Sequence, residues 1–378
     1  MPALLPLPDA DGLLEYSVVY TDRSLNHMSQ RFRGVMNDIS RIIKTVYHAR
    51  SAVIVPGGGT YGMEAVARQF ATGGKVLVIR NGWFSYRWSQ IFEAGRIPAE
   101  ESVLKARRTG EAPDAPFAPA PIEEVVAAIH QQRPDVVFAP HVETASGIML
   151  PDDYLRAVGT AVREVGGLFV LDCVASGTVW VNMADNAVDI LISAPQKGWS
   201  GTPCAALVAL GERARERIET SASSSFALDL KKWLQIMEAY EAGGAPYHAT
   251  MPTDGLATLR DVMLETEAHG FAQIREKQFE LGRRVRALLA ARGFPSVAAP
   301  GFEAPGVVVS YTTDPDIQSA AKFIAAGLQT AAGVPLQCDE PASFRSFRIG
   351  LFGLDKLHDP ERTVRHLETA LDTIGSTQ

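Results

Sequence analysis

Asp189-Ile-Leu-Ile-Ser-Ala-Pro-Gln-Lys197-Gly-Trp-Ser-Gly201 is the stretch on which the fold turns. Its apolar centre, Ile190-Leu191-Ile192, reads as a buried strand. Ser193-Ala194-Pro195 then forces the chain into an exit loop. A lysine just past a buried strand end, followed by glycine and small residues, is poorly explained as surface charge. Twenty-five residues upstream, Asp172 closes another short apolar run, Leu168-Phe169-Val170-Leu171. An acid and a lysine at the C-terminal ends of neighbouring strands can point into one crevice. A buried lysine–aspartate ion pair without chemistry is the competing reading of these two residues alone.

Outward from this stretch the chain alternates. An amphipathic helix is expected over residues 29–47. Ala52-Val53-Ile54-Val55 reads as a strand running into Pro56-Gly57-Gly58-Gly59-Thr60, with a helix over about 61–70. A strand at 75–79, a helix, a further strand and a Pro/Ala-rich loop at 111–120 follow. Residues 121–132 read as a helix with Pro121 near its start. A strand at 135–138 and a helix over about 152–165 lead to the Asp172 strand. Strands and helices alternating at this pitch imply a parallel sheet covered on both faces. The run at 205–210 follows the lysine loop too closely for a helical crossover, so it is expected to pair antiparallel. One long helical pattern covers roughly 255–292. Composition shifts at Gly293-Phe-Pro-Ser296, after which Val307-Val-Val-Ser310, a helix, Arg348-Ile-Gly350 and a closing helix make a smaller α+β unit. The expected division is an N-terminal segment 1–28, a large α/β domain 29–255, and a connecting helix with a small domain 256–378.

The 378 residues are 46% hydrophobic and 21% charged, with net charge −7, an ordinary globular balance. No basic stripe suggests nucleic acid, and no apolar run approaches the ~18 residues of a membrane span. Met1-Pro-Ala-Leu-Leu-Pro6 has neither a charged start nor a long apolar core, so no leader is expected. Cys173, Cys204 and Cys338 are scattered without metal-ligand spacing, which fits a reducing cytoplasm. Cys173 adjoins Asp172 but is otherwise flanked by apolar residues, and reads as a small core residue.

Several motifs carry candidate chemistry. Gly57-Gly-Gly-Thr-Tyr-Gly62 matches the dinucleotide pattern, but the next strand ends in Arg80-Asn81-Gly82 rather than an acid, so NAD is not supported. A phosphate monoester would suit the helix N-terminus equally well, with the Thr60 hydroxyl as a donor. A plain tight turn is the alternative, although three glycines are a costly way to make one. Asn81-Gly-Trp-Phe-Ser-Tyr-Arg-Trp88 places four aromatics past a strand end, where one ring could stack on a planar cofactor and the others pack. His141 in His141-Val-Glu-Thr-Ala-Ser-Gly147 is a candidate neighbour of that ring. Arg348 lies inside an apolar strand, where a buried guanidinium needs an anion: a substrate carboxylate, or a structural salt bridge. Lys197 and Asp172 together suit pyridoxal phosphate. The lysine would bind its aldehyde covalently, and the acid would keep the pyridine nitrogen protonated so that the ring accepts electrons.

Taken in order, Pro56-Gly-Gly-Gly-Thr60, His141-Val-Glu-Thr-Ala-Ser-Gly147, Leu171-Asp-Cys-Val-Ala-Ser176, Ser193-Ala-Pro-Gln-Lys197, Tyr247-His-Ala-Thr250 and Arg348-Ile-Gly-Leu-Phe-Gly353 resemble the class V aminotransferases, closest to the alanine–glyoxylate and serine–pyruvate aminotransferases. The resemblance runs from about residue 50 to the C-terminus. It implies the type I fold of pyridoxal-phosphate enzymes, with a mostly parallel seven-stranded sheet in the large domain. It implies Lys197 as cofactor lysine and proton shuttle, Asp172 against the pyridine nitrogen, and Val174 behind the ring. Gly58, Gly59, Thr60 and Gln196 would hold the phosphate, Thr144 would lie near the phenolic oxygen, and Phe84 would occupy the stacking position. Tyr247 and Thr250 would reach the phosphate from a neighbouring subunit, which implies a homodimer. Arg348 would grip the substrate α-carboxylate.

Two departures stand out. Val19-Tyr-Thr-Asp-Arg-Ser-Leu-Asn-His27 replaces the family's usual Pro-Gly-Pro-type opening, and Phe84 replaces its frequent tryptophan. Both leave the reaction class standing and the amino donor open. The function implied is transfer of an amino group from a small amino acid or related amine to glyoxylate or pyruvate. The rivals are a pyridoxal-phosphate-dependent lyase or desulfurase on the same fold, which would want a cysteine on a mobile loop, and a non-catalytic cofactor-binding protein.

Overall fold

The computed structural model describes residues 8–375. Met1–Pro6, on which the reading of the leader rests, lies outside them. Helix α1 (Gln30–Tyr47) starts where Ser29 accepts the Phe32 N–H and ends at left-handed His48. It buries Phe32, Val35, Met36, Ile39 and Ile43 on one stripe. Then come β1 (Ser51–Pro56), α2 (Gly59–Phe70), β2 (Lys75–Arg80), α3 (Trp83–Gly95) and β3 (Glu100–Lys105). The Pro/Ala-rich loop is pinned by a two-strand ladder, β4 (Arg107–Arg108) with β5 (Phe117–Ala118). Helix α4 (Ile122–Gln132), β6 (Val136–Pro140), α5 (Asp152–Glu164), β7 (Leu168–Asp172), β8 (Ile190–Ser193) and β9 (Ala205–Leu210) complete the alternation.

Among the described residues the main sheet has seven strands, ordered β1-β9-β8-β7-β6-β2-β3. Only β9 runs against the others, pairing antiparallel with both β1 and β8. The near-continuous apolar strands are buried throughout their middles, as a sheet covered on both faces requires. Because β1, β2, β6, β7 and β8 share one direction, their C-terminal ends lie along one edge. Gly58, Phe84, Thr144, Asp172 and Lys197 all lie at that edge or on the segments that leave it, the usual place for a ligand crevice.

Helices α6 (Glu212–Thr220) and α7 (Leu230–Glu241) follow. The expected single helix over 255–292 is two, α8 (Thr253–His269) and α9 (Phe271–Ala291). Gly270, at φ 85, ends one and starts the other. The two helices also serve different cores. Leu256, Leu259 and Met263 of α8 join the core of the main sheet. Ile274, Leu281, Val285 and Leu289 of α9 belong to a second core. Beyond α9 come β10 (Val307–Tyr311), α10 (Pro315–Gln318), α11 (Ala321–Ala325), β11 (Ala331–Ala332), β12 (Ser346–Gly350), α12 (Leu354–His358) and α13 (Pro360–Gly375), all of which except β11 contribute to that core. The small sheet is antiparallel in the order β10-β12-β11. Its alternation divides the faces: Val308, Phe347 and Ile349 enter the helical core, whereas Val307, Val309 and Tyr311 pack with Val142, Ala145 and Ile148 from the loop after β6. The same alternation turns Arg348, between Phe347 and Ile349, toward the crevice side.

Candidate active site

Asp172 and Lys197 come together as expected. Asp172 pairs in register with Ile192, so β7 and β8 end side by side. The Asp172 carboxylate is buried, and its Oδ1 accepts the Val174 N–H at 2.9 Å. It makes no ion pair among the described residues. Burial raises its pKa to about 6, against the opposing pull of the Val174 N–H and of Lys197. Lys197 is half-buried, and its ammonium makes neither a hydrogen bond nor an ion pair among the described residues. Its Nζ stands 5.8 Å from the Phe84 ring and 5.9 Å from the Phe352 ring. Burial lowers its pKa, opposed by Asp172 and Glu143. The competing reading, a closed lysine–aspartate salt bridge, is therefore not what the fold makes.

The glycine turn faces the same crevice. Gly57 takes φ 123, which favours glycine. A Cβ on Gly59 would stand 2.7 Å from Val174 Cγ2, so Val174 packs directly on the turn. A Cβ on Gly58 would meet nothing within 4 Å: open space lies over the first turn of α2. That helix starts at Gly59, two residues before the sequence suggested, which puts Thr60 in its first turn. There the Tyr61 and Gly62 N–H groups donate back to the Gly58 carbonyl, and those of Gly59 and Thr60 have no backbone partner among the described residues. Gln196 is exposed beside Lys197 and, with Ser200, Phe352 and Asp355, lines a cavity of about 340 Å³.

Phe84 is held by a residue to which the sequence reading gave no role. The Glu143 carboxylate is fully buried and accepts four donors: the N–H groups of Phe84 (3.2 Å), Ser85 (2.8 Å) and Ala145 (2.9 Å), and the Ser85 hydroxyl (2.6 Å). It satisfies the orphan donors at the start of α3 and complements the helix dipole. The half-buried Phe84 ring is thereby fixed beside Lys197. The guanidinium carbons of Arg87 and Arg348 lie 5.2 and 5.5 Å from its centroid. Of the four aromatics in this run, Trp88 alone is fully buried, against Phe92 and Phe138.

Thr144 sits half-buried on the same loop as Glu143. His141 is buried, its Nδ1 2.7 Å from Ser176 Oγ, and burial pushes its pKa down to about 3, so the ring is neutral. Arg348 is half-buried rather than buried, because strand alternation turns it out of the helical core. Its Nε donates to the Ala332 carbonyl at 2.8 Å, and no carboxylate pairs with it among the described residues. Tyr247 and Thr250 are not brought to the glycine turn within this chain. Their hydroxyls are 3.0 Å apart, and Tyr247 is 54% exposed with its ring against His27.

Arg87 and Glu143 are thus the site residues missed from sequence. Arg87 lies three positions after Phe84, a spacing that shares a helix face once α3 is known to start at Trp83. Glu143 carried no such signal, because three of its four partners are backbone N–H groups, two of them on α3.

The donor set fits pyridoxal phosphate. A buried, unpaired carboxylate suits a protonated pyridine nitrogen, an unpaired lysine with lowered pKa suits an aldehyde, and open space at a helix N-terminus suits a phosphate. No metal-binding group of side chains occurs among the described residues.

No protein-family model matches the chain. It is 29% identical over 328 residues to a 2-aminoethylphosphonate–pyruvate transaminase of Burkholderia ambifaria, covering 85% of this chain and 83% of the relative. It is 26% identical over 341 residues to an alanine–glyoxylate aminotransferase of Callithrix jacchus, covering 87% and 77%. The crystal structure of an alanine–glyoxylate aminotransferase from Nostoc sp. superposes with TM-score 0.76 at 23% identity, covering 93% of this chain and 89% of that one. In sequence over most of its length the chain is similar to these aminotransferases, and in fold it is similar to the Nostoc structure over 93% of its length.

Proposed function

We propose that the protein is a pyridoxal-phosphate-dependent aminotransferase that moves an amino group from a small amino acid or related amine to glyoxylate or pyruvate. The observation that carries this is the unpaired Lys197 and the unpaired, buried Asp172 at the ends of adjacent strands, facing one crevice. Relatives named for pyruvate and glyoxylate support the choice of acceptors.

When bound, pyridoxal phosphate supplies an electron-accepting ring conjugated to a carbon that can carry the amino group. Lys197 would hold it covalently until the donor's amine displaces it, and the freed Nζ would then take the proton from the donor's α-carbon, a task helped by its lowered pKa. Asp172 would keep a proton on the ring nitrogen. Gly58, Gly59, Thr60 and Gln196 would hold the phosphate, with Val174 behind the ring, Phe84 stacked on it and Thr144 near its phenolic oxygen. Arg348, aimed by the Ala332 carbonyl, would orient the substrate carboxylate through its free nitrogens. Tyr247 and Thr250 would complete the phosphate site of a second copy in a homodimer; the exposure of Tyr247 in the single chain supports that reading. We place the protein in the cytoplasm, supported by three free cysteines. No helix of the described residues is long and apolar enough to cross a membrane. We also propose the division at 1–28, 29–255 and 256–378.

A desulfurase is disfavoured. Cys173, Cys204 and Cys338 are all buried, and burial raises every thiol pKa, to about 11 for Cys204 and about 12 for Cys338. The test of the main reading is borohydride trapping. Wild type should carry reduced cofactor on Lys197, and Lys197→Ala should fold but lose the covalent adduct. Trapping on any other lysine would overturn it.

A further inference from the structure

Arg87 is a cation of the crevice that the proposed function leaves without a task. Its guanidinium carbon lies 5.2 Å from the centroid of Phe84, one turn back on α3, and its Nη1 donates to Thr60 Oγ1 at 3.1 Å across the gap to α2. No carboxylate pairs with it among the described residues. Its charge is nevertheless felt at both Asp172 and Lys197. Glu143 makes no ion pair with Arg87; four neutral donors occupy the Glu143 carboxylate oxygens.

The magnitudes point to an anion. A helix N-terminus offers about +0.5 charge, whereas a phosphate monoester carries about −1.5 to −2 near neutral pH. The first turn of α2 alone therefore under-compensates a phosphate by roughly 1 to 1.5 charges. A guanidinium that gives one N–H to Thr60 keeps roughly four others. Thr60 Oγ1, by accepting from Arg87, is left with its own hydrogen free to donate. The open space that a Gly58 Cβ would enter lies on this same turn.

We propose that Arg87 is a phosphate-binding residue of this site, aimed by Thr60 and supported by the face of Phe84, and that it supplies the positive charge which the α2 N-terminus lacks. The inference rests on the reading of the site as a pyridoxal phosphate site.

The test compares two ligands that differ only in the phosphate. Full-length protein stripped of cofactor is titrated with pyridoxal phosphate and with pyridoxal, following absorbance, and melting curves are recorded beside the titrations. Wild type should prefer the phosphorylated ligand strongly. Wild type that binds neither sinks the functional reading itself, before any variant is made. In Arg87→Gln the dissociation constant for pyridoxal phosphate should rise about 10- to 100-fold, the scale of a charged hydrogen bond, while that for pyridoxal stays put. Arg87→Met, which keeps an apolar stem over Phe84, should show the same selective loss if the glutamine variant folds poorly. Arg87→Lys should recover part of the preference, as a point charge without the planar fork. Equal losses for both ligands would make Arg87 a support for Phe84 only, and an unchanged ratio in the glutamine and methionine variants would remove it from the phosphate site; either result overturns the proposal.

Discussion

At the residue scale, Asp172 carries an electrostatic signature that can be read as stability. Its folded pKa of about 6 lies above the ordinary 3.8, because burial penalises the carboxylate. Below pH 4 the group is protonated folded or unfolded and contributes nothing. Above pH 6 it is charged in both states, and the folded state bears the full desolvation cost. Two pKa units correspond to roughly 3 kcal/mol. Cofactor-free protein should therefore lose stability from this group as pH rises from 4 to 6, and Asp172→Asn should not. Melting curves of both proteins across that range check the sign; parallel curves would refute it. In the loaded enzyme the same substitution should slow proton abstraction by at least ~10²-fold, the scale of a single electrostatic group, and near-normal turnover would make the acid structural. Arg348 makes a separate prediction. Arg348→Lys keeps charge but loses the fork that the Ala332 carbonyl aims. KM for donor and acceptor should rise together while the melting temperature holds. A large drop in melting temperature with unchanged KM values would mark a structural arginine instead.

At the scale of the element, α2 makes opposite demands of two glycines one turn apart. A Cβ on Gly62 would stand 2.5 Å from Ala206 Cβ on β9, so the helix lies on the sheet at glycine distance. Gly62→Ala should cost about 1–3 kcal/mol by overpacking. Gly58 borders open space, and its φ of −157 suits any residue. Gly58→Ala should leave the melting temperature of cofactor-free protein unchanged and weaken cofactor retention. Thermal melts with and without added pyridoxal phosphate separate the two. Destabilisation of the bare protein by Gly58→Ala would show that this turn is a folding feature rather than a ligand cradle.

For the whole molecule, the described chain leaves Leu13, Leu14, Tyr16, Val18 and Phe226 largely bare, together with Tyr247. A second copy that brings Tyr247 to the neighbouring site would cover part of this surface. The expected species by sedimentation is a dimer of 40.8 kDa chains. Tyr247→Ala should weaken cofactor retention although the side chain makes no contact with its own glycine turn. A monomer that retains cofactor and full turnover would refute the shared site.

The alternation of apolar runs and helices, and the strand ends at Asp172 and Lys197, were legible in the chain because a sheet covered on both faces writes itself as continuous hydrophobic stretches. Antiparallel β9 followed from the short connection after Lys197. The break at Gly270 was less visible, because a single glycine in a helical pattern can be tolerated or can end it, and only the packing of α8 and α9 on separate cores decides. The roles of Glu143 and Arg87 depended wholly on the tertiary structure. Glu143 acts on backbone N–H groups of α3 that every sequence possesses. Arg87 acquires its meaning from Thr60, 27 positions away, once α2 and α3 are laid side by side. Local pattern determines which residues are buried and which element they form; which unpaired charges face one another is set by how the strand ends assemble, and periodicity carries no information about that.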